Sequence, residues 1–285
     1  GWSVEEVLAF NRGRHSIKFG GIFQYQNQTR ENSEAPTITY TSVADLLANS
    51  PTTVSVTFGV LPYKITDWTN GYFIQDDFKI RPNLVLNLGL RYDYFSVPTE
   101  RDNRLFNREG PFGLGALRTA DQGLYNPDHN NFAPRLGFAW SVDDSGKTVV
   151  RGGFGVFYTR APLRNVIDTI RNSINEPFRF AFSRAEAVAL GLKYPVSPDA
   201  VRAAVPVLPW SGTTINPDFP NPYSMQWLGS FQRQLTGTLS VEAAYVGSRG
   251  VNLLFNRDIN QVDRVTGIRP FAAQGFGQFR HFDTS

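Results

Sequence analysis

The feature that most constrains this chain is a two-residue apolar period interrupted by connections that are alternately very short and very long. Leu84, Leu86, Leu88, Leu90, Tyr92 and Tyr94 alternate with Val85, Asn87, Gly89, Arg91, Asp93 and Phe95. Successive side chains of a strand point to opposite faces, so this segment has one continuous apolar face and one largely polar face. The same rhythm runs through Ile17, Phe19, Gly21, Phe23 and Tyr25, through Leu136, Phe138 and Trp140, and through Val150, Phe154, Val156 and Tyr158. It returns in Tyr223, Met225, Trp227 and Phe231, and in Leu239, Val241, Ala243 and Tyr245. At 69–79, Tyr72 and Ile74 keep the period, but Asp76-Asp77 interrupts it, which predicts a bulge or a membrane rim.

Four connections are tight: Asn11–His15, Ile80–Asn83, Val142–Lys147 and Leu235–Thr238. Between them lie long ones, roughly 28–68, 96–131 and 159–222, and a tail beyond Gly247. A compact soluble domain seldom carries structureless loops beyond ~15 residues. An up-and-down transmembrane barrel does, because its periplasmic turns are short and its extracellular loops long. Strands of about ten residues also suit a tilted membrane crossing. No apolar run approaches the ~18 residues of a transmembrane helix, so a membrane role falls to strands. A soluble β-sandwich is the competing reading, and it has no use for three loops of this length.

The expected fold is therefore all-β: an antiparallel up-and-down transmembrane barrel segment of about eight strands, with short helices in its long extracellular loops. Ser183 and Glu186 form a capping box ahead of an apolar run that Gly191 stops. Ser197-Pro198 opens a second short helix, and Ser42 with Asp45 a third. A central arginine in hydrocarbon costs about 2–4 kcal/mol, so the polar faces belong on the wet side. That places Gln75, Asp77, Asn87, Arg91, Asp93, Arg135, Arg151 and Glu242 toward the lumen. Leu84, Leu86, Leu88, Leu90, Phe138 and Trp140 then meet lipid. Leu88→Arg is expected to be costly and Asn87→Asp mild. With the tight turns periplasmic, Tyr72, Tyr92, Tyr94, Tyr158, Tyr223 and Tyr245 mark the outer ends of their strands as an aromatic girdle, and Phe78 and Trp140 the inner ends.

Composition removes other classes. Aromatic residues at 14% and a net charge of only +3 exclude disorder. With no cysteine there is no disulfide scaffold, thiolate zinc site or thiol nucleophile. His15, His129 and His281 are scattered, so no metal or cofactor is expected. No basic cluster supports nucleic-acid binding. Ser224, Ser230 and Ser240 lack a Gly-x-Ser-x-Gly setting, and Arg151–Gly155 lacks the Lys-Ser/Thr of a phosphate loop. No catalysis is expected.

Several strings carry a family resemblance. Tyr72-Phe73-Ile74-Gln75-Asp76-Asp77-Phe78, the turn Arg81-Pro82-Asn83-Leu84 and Asn87-Leu88-Gly89-Leu90-Arg91-Tyr92-Asp93 form one hairpin. It resembles the barrel hairpin of TonB-dependent outer-membrane transporters. Phe132–Phe138 and Val150–Tyr158 resemble the next hairpin. Pro222–Trp227, Ala244–Gly250 and Asp258–Gln261 are similar to the Oar-like branch. The resemblance covers about residues 15 to 261 and implies a Gram-negative outer membrane, a bulky solute, a plug domain and a TonB-type energising partner. Nothing in the chain resembles the plug or the TonB-contacting box, so residues 1–285 read as an interior part of a barrel domain of about 22 strands. The terminal Phe282-Asp283-Thr284-Ser285 reads as loop.

The charged polar faces read either as lumen salt bridges between neighbouring strands or as plug docking and substrate path. Trp210, Phe219, Tyr63 and Phe112 read as loop anchors or ligand contacts. Two functions remain open: a gated active transporter, or a passive pore or adhesin whose barrel displays loops.

Overall fold

A computed structural model describes residues 1–30, 35–58, 63–105, 107–110, 114–143, 145–161, 169, 178–204, 210–274 and 276–284. Its centre is one antiparallel sheet of eight long strands. These are β1 (Trp2–Arg12), β2 (His15–Arg30), β5 (Tyr63–Arg81), β6 (Leu84–Phe95), β8 (Phe132–Ser141), β9 (Thr148–Tyr158), β12 (Tyr223–Gln234) and β13 (Ser240–Val251). They neighbour one another in chain order, each pairing antiparallel with the next. The sheet is open between β1 and β13 among the described residues.

The tight turns fall where the sequence places them. Gly13 takes φ 60°, the left-handed region that a residue without Cβ enters freely, and leads from β1 into β2. Pro82-Asn83 joins β5 to β6, and the Asn83 side chain donates to the Ser141 carbonyl at 3.0 Å. The register does not break at Asp76-Asp77. Pairing runs through both residues on both sides of β5, and the irregularity lies at Lys79/Arg81 beside the turn. The two carboxylates are tolerated in regular strand because each finds a donor, as shown below.

The long connections are folded against one another. The short β3 (Thr37–Thr39), β4 (Thr53–Phe58) and β10 (Phe178–Ser183) make a second sheet that joins the first long connection to the third. Helices α2 (Arg184–Ala189) and α3 (Pro198–Ala204) cover it, burying Val54, Val56, Phe182, Ala187, Leu192 and Val201 together. The capping box of α2 is formed, with the Ser183 side chain accepting from the Glu186 amide and Glu186 reaching back to the Ser183 amide. Helix α1 (Val43–Leu47) has Ser42 as its N-cap, and Ser197 accepts from the Ala200 amide at the start of α3.

A third sheet combines β11 (Trp210–Ile215), β14 (Leu254–Asp258) and β15 (Phe276–Thr284). Its β11–β15 pair is parallel, the one departure from antiparallel order among these sheets. The residues Phe282-Asp283-Thr284, expected to be loop, belong to β15. Their side-chain pattern is too short and too polar to show a strand without the partners that complete it. Leu124, Tyr125, Ile215, Phe219 and Phe282 form a core that ties this sheet to the second long connection.

Candidate functional site

Residues directly opposite across an antiparallel ladder share a face, so the register sorts every strand side chain. Leu84, Leu86, Leu88 and Leu90 oppose Trp140, Phe138, Leu136 and Pro134 on one side. On the other side Leu86, Leu90 and Tyr92 oppose Phe78, Ile74 and Tyr72. The same face continues through Phe154, Trp227 and Gly247 and through Val150, Phe231 and Ala243. All six residues expected to meet lipid lie on it.

The eight residues expected in the lumen lie on the opposite face. Asp77, Asn87 and Gly137 form one row, Gln75, Gly89, Arg135 and Gly155 the next, and Glu242 sits opposite Gln232. Their contacts differ from the ladder of inter-strand salt bridges that the sequence suggests. Arg91 pairs with Asp93 on its own strand, the guanidinium at 2.8 Å from the carboxylate. Both lie across Gly71, where a Cβ would stand only 2.3 Å from Arg91 Nη2. Asn87 donates to Asp77 at 2.6 Å, Arg151 to Gln232 at 3.0 Å, and the Arg135 guanidinium lies 4.7 Å from the centre of the Phe157 ring. The Asn87–Asp77 contact also corrects the expectation for Asn87→Asp: that change would set two carboxylates against each other.

Five of the six tyrosines expected in the girdle stand eight or more positions from their tight turn, the sixth, Tyr245, at mid-strand. Tyr245 opposes Gly229, which opposes Gly152, which opposes Phe138 near the tight-turn end of β8. Strand length from the sequence does not reveal this, because tilted strands are staggered and equal positions in a row lie at different depths.

An aromatic band of three groups of ring contacts crosses the same face at the end away from the tight turns. Trp2 lies 5.3 Å from Phe23, Phe23 lies 6.2 Å from Trp68, and Trp68 lies 5.0 Å from Tyr94. Tyr92 meets Phe132 at 5.0 Å and Tyr158 meets Tyr223 at 5.1 Å. Trp2, Phe23, Tyr25, Trp68 and Phe132 are not among the residues expected in the girdle, although Phe23 and Tyr25 belong to the period-two series of their strand. About ten positions separate the band from the turns in β2, β6 and β9. At about 3.3 Å per residue and ~40° tilt, that is the ~25 Å height of an outer-membrane apolar belt.

Beyond the band, β2 and β5 continue and carry the folded connections. Asp67 of β5 is buried on the polar face, and Arg160, from the base of the longest connection, donates to it at 2.7 Å and to Gln26 at 2.5 Å. The short β7 (Thr99–Glu100) pairs with β5. Burial opposes the charge of Glu100, but Arg104 at 2.6 Å and the amides of Lys64, Asp102 and Arg104 hold its carboxyl below the ordinary range. Asn107 is buried and donates to the Leu124 and Ile215 carbonyls while accepting from the Ile215 amide at 3.0 Å. The Arg184 guanidinium at 2.7 Å holds the Asp45 carboxyl well below its usual range, joining α2 to α1. Tyr63 and Phe219 are buried anchors. The Trp210 side chain and the whole of Phe112 lie outside the described residues.

Among the described residues no group of His, Asp or Glu is arranged to hold a metal, and no helix is long and apolar enough to cross a membrane. The arrangement offers one apolar surface of membrane height, one polar surface, and a cap of interlocked loops.

The family described as "Outer membrane beta barrel domain" matches residues 1–284. Among solved structures, the outer membrane transporter YddB from Escherichia coli is 15% identical, with a TM-score of 0.54 over 99% of this chain and 28% of that one. A ferric enterobactin receptor, PfeA, from Pseudomonas aeruginosa is 9% identical, with a TM-score of 0.42 over 99% of this chain and 38% of that one. A siderophore receptor, PirA, from Acinetobacter baumannii is 11% identical, with a TM-score of 0.40 over 99% of this chain and 40% of that one. The chain thus spans well under half the length of these relatives. No curated protein matches it.

Proposed function

The chain belongs to the outer membrane beta barrel domain family, and we propose that it forms part of the barrel wall of a TonB-dependent active transporter of the Oar-like branch. Its place is the outer membrane of a Gram-negative cell. The apolar face meets lipid there, the polar face lines the lumen, and the tight turns face the periplasm. In this reading the complete protein adds a plug domain inside the lumen and couples to a TonB-type partner in the inner membrane. In this reading the chain has no catalytic role.

The observation that carries the reading is the pairing of two unlike surfaces. A belt of lipid-compatible height wraps one side, while the polar side is occupied by Arg91, Asp93, Arg135 and Arg151. Above the belt the described parts of the connections pack into a cap around two buried apolar clusters. Such a cap suits recognition of a solute too large or too scarce for an open pore. The base of the longest connection is fastened to the wall through Arg160 and Asp67, and in this reading the region 159–222 is the first surface an incoming solute meets.

Uptake by cells carrying the complete gene, with and without the energising partner and with 159–222 deleted, tests this. Flux is expected to need the partner and to fall on deletion. Flux that persists unchanged without the partner would replace active transport with a passive pore. A protein with no flux that still binds surfaces through its loops would be an adhesin.

A further inference from the structure

At the tight-turn end of the apolar face, β1, β2 and β5 form a groove of about 380 Å³. Phe10, Ile17 and Phe78 give it an apolar floor, and Arg12, Arg14 and His15 stand at its mouth. The register explains the layout. Arg12, His15 and Phe78 share one row at the level of the turn, and Phe10, Ile17 and Asp76 share the next row inward. His15 stacks flat on Phe78, with ring centres 4.3 Å apart.

Asp76 is the only acid in these two rows, and both its oxygens are occupied. One meets His15 Nδ1 at 2.6 Å and the other accepts from the Ser16 amide at 3.1 Å. Arg14 donates to the Ile80 carbonyl at 3.0 Å, which pins it beside the turn with other N–H groups left over. Arg12 has no ion pair among the described residues. The outward surface at headgroup depth therefore presents an uncompensated guanidinium beside an apolar trough. A guanidinium binds a phosphate with two parallel hydrogen bonds, and a trough of aromatic and branched side chains takes an acyl chain.

We propose that this groove is a binding site for an acidic glycerophospholipid of the periplasmic leaflet, its phosphate on Arg12 and Arg14 and one acyl chain along Phe10, Ile17 and Phe78. The assignment rests on the apolar face being outward.

The test uses the complete gene product in nanodiscs containing phosphatidylglycerol and phosphatidylcholine, with retained lipid read by native mass spectrometry after heat-modifiable gel migration confirms a folded barrel. Arg12→Gln should lower retained phosphatidylglycerol about fivefold, and Arg12→Gln with Arg14→Gln further, since each change removes a hydrogen bond to the bound phosphate of about 1 kcal/mol. Arg233, an exposed arginine on the same face at the tight-turn end of β12, is the control. Arg233→Gln should leave retention unchanged. Retention unaffected by the Arg12 changes, or lowered equally by Arg233→Gln, would overturn the site and leave only diffuse surface charge.

Discussion

At the scale of single residues, neighbours in one strand have opposite fates. Leu88 and Asn87 are adjacent, yet one stands among Leu136 and Asp76 on the apolar face and the other bonds to Asp77 on the polar face. Leu88→Arg should cost about 2–4 kcal/mol in a refolding titration into lipid vesicles, whereas Asn87→Ser, at an exposed position, should stay within about 1 kcal/mol. Equal penalties would contradict the facing. The parity that separates them was legible because a strand repeats every two residues. The partner of Asn87 was not, since Asp77 is ten positions away and meets it only across a turn. His281 adds a pH dependence. It is buried against the Thr214 hydroxyl at 2.9 Å, and burial pushes its pKa below the ordinary value. The fold keeps the ring neutral, while the unfolded chain takes a proton near pH 6.5. Stability of the β11–β15 region is therefore complete above that pH and declines as pH falls through it. Protection factors there, exchange rates normalised to the intrinsic amide rate at each pH, should fall between pH 7.5 and 5.5, and His281→Asn should remove the dependence.

At the scale of elements, the hairpins and the three short helices were readable because their signals are local. Pro82-Asn83, Gly13 and the Ser183/Glu186 box each act within four residues. The loop sheets were not readable, since β4 finds its partner β10 more than a hundred positions later and the parallel β11–β15 pair joins residues more than sixty positions apart. Tyr245 shows the same limit: its place in its own strand is plain, but its depth depends on the stagger of every strand between it and β2. Asn107 is the element-scale hinge of the cap, joining one connection to Leu124 and Ile215. Asn107→Leu leaves those backbone groups buried without partners, at about 1–3 kcal/mol each. Limited proteolysis should then cut 96–131 faster while the eight-stranded sheet keeps its protection. Unchanged cleavage would show that the apolar contacts of Tyr125 and Phe219 hold the cap alone. The α2 cap is a milder case: Ser183→Ala should lower stability of the β4–β10 unit by about 1 kcal/mol.

At the scale of the whole molecule, the account rests on one sheet separating lipid from water. These 285 residues contain no cysteine, so each introduced thiol is the only one among them, and replacing any cysteine elsewhere in the complete protein by serine makes this directly measurable. Spin labels placed singly through Leu84→Cys, Val85→Cys, Leu86→Cys, Asn87→Cys, Leu88→Cys, Gly89→Cys, Leu90→Cys and Arg91→Cys in the membrane-embedded complete protein report exposure to oxygen, which concentrates in lipid, and to a water-soluble nickel complex. The account predicts strict alternation, with the even positions accessible to oxygen and the odd positions to nickel. Accessibility without a two-residue period, or with the phases exchanged, would contradict it.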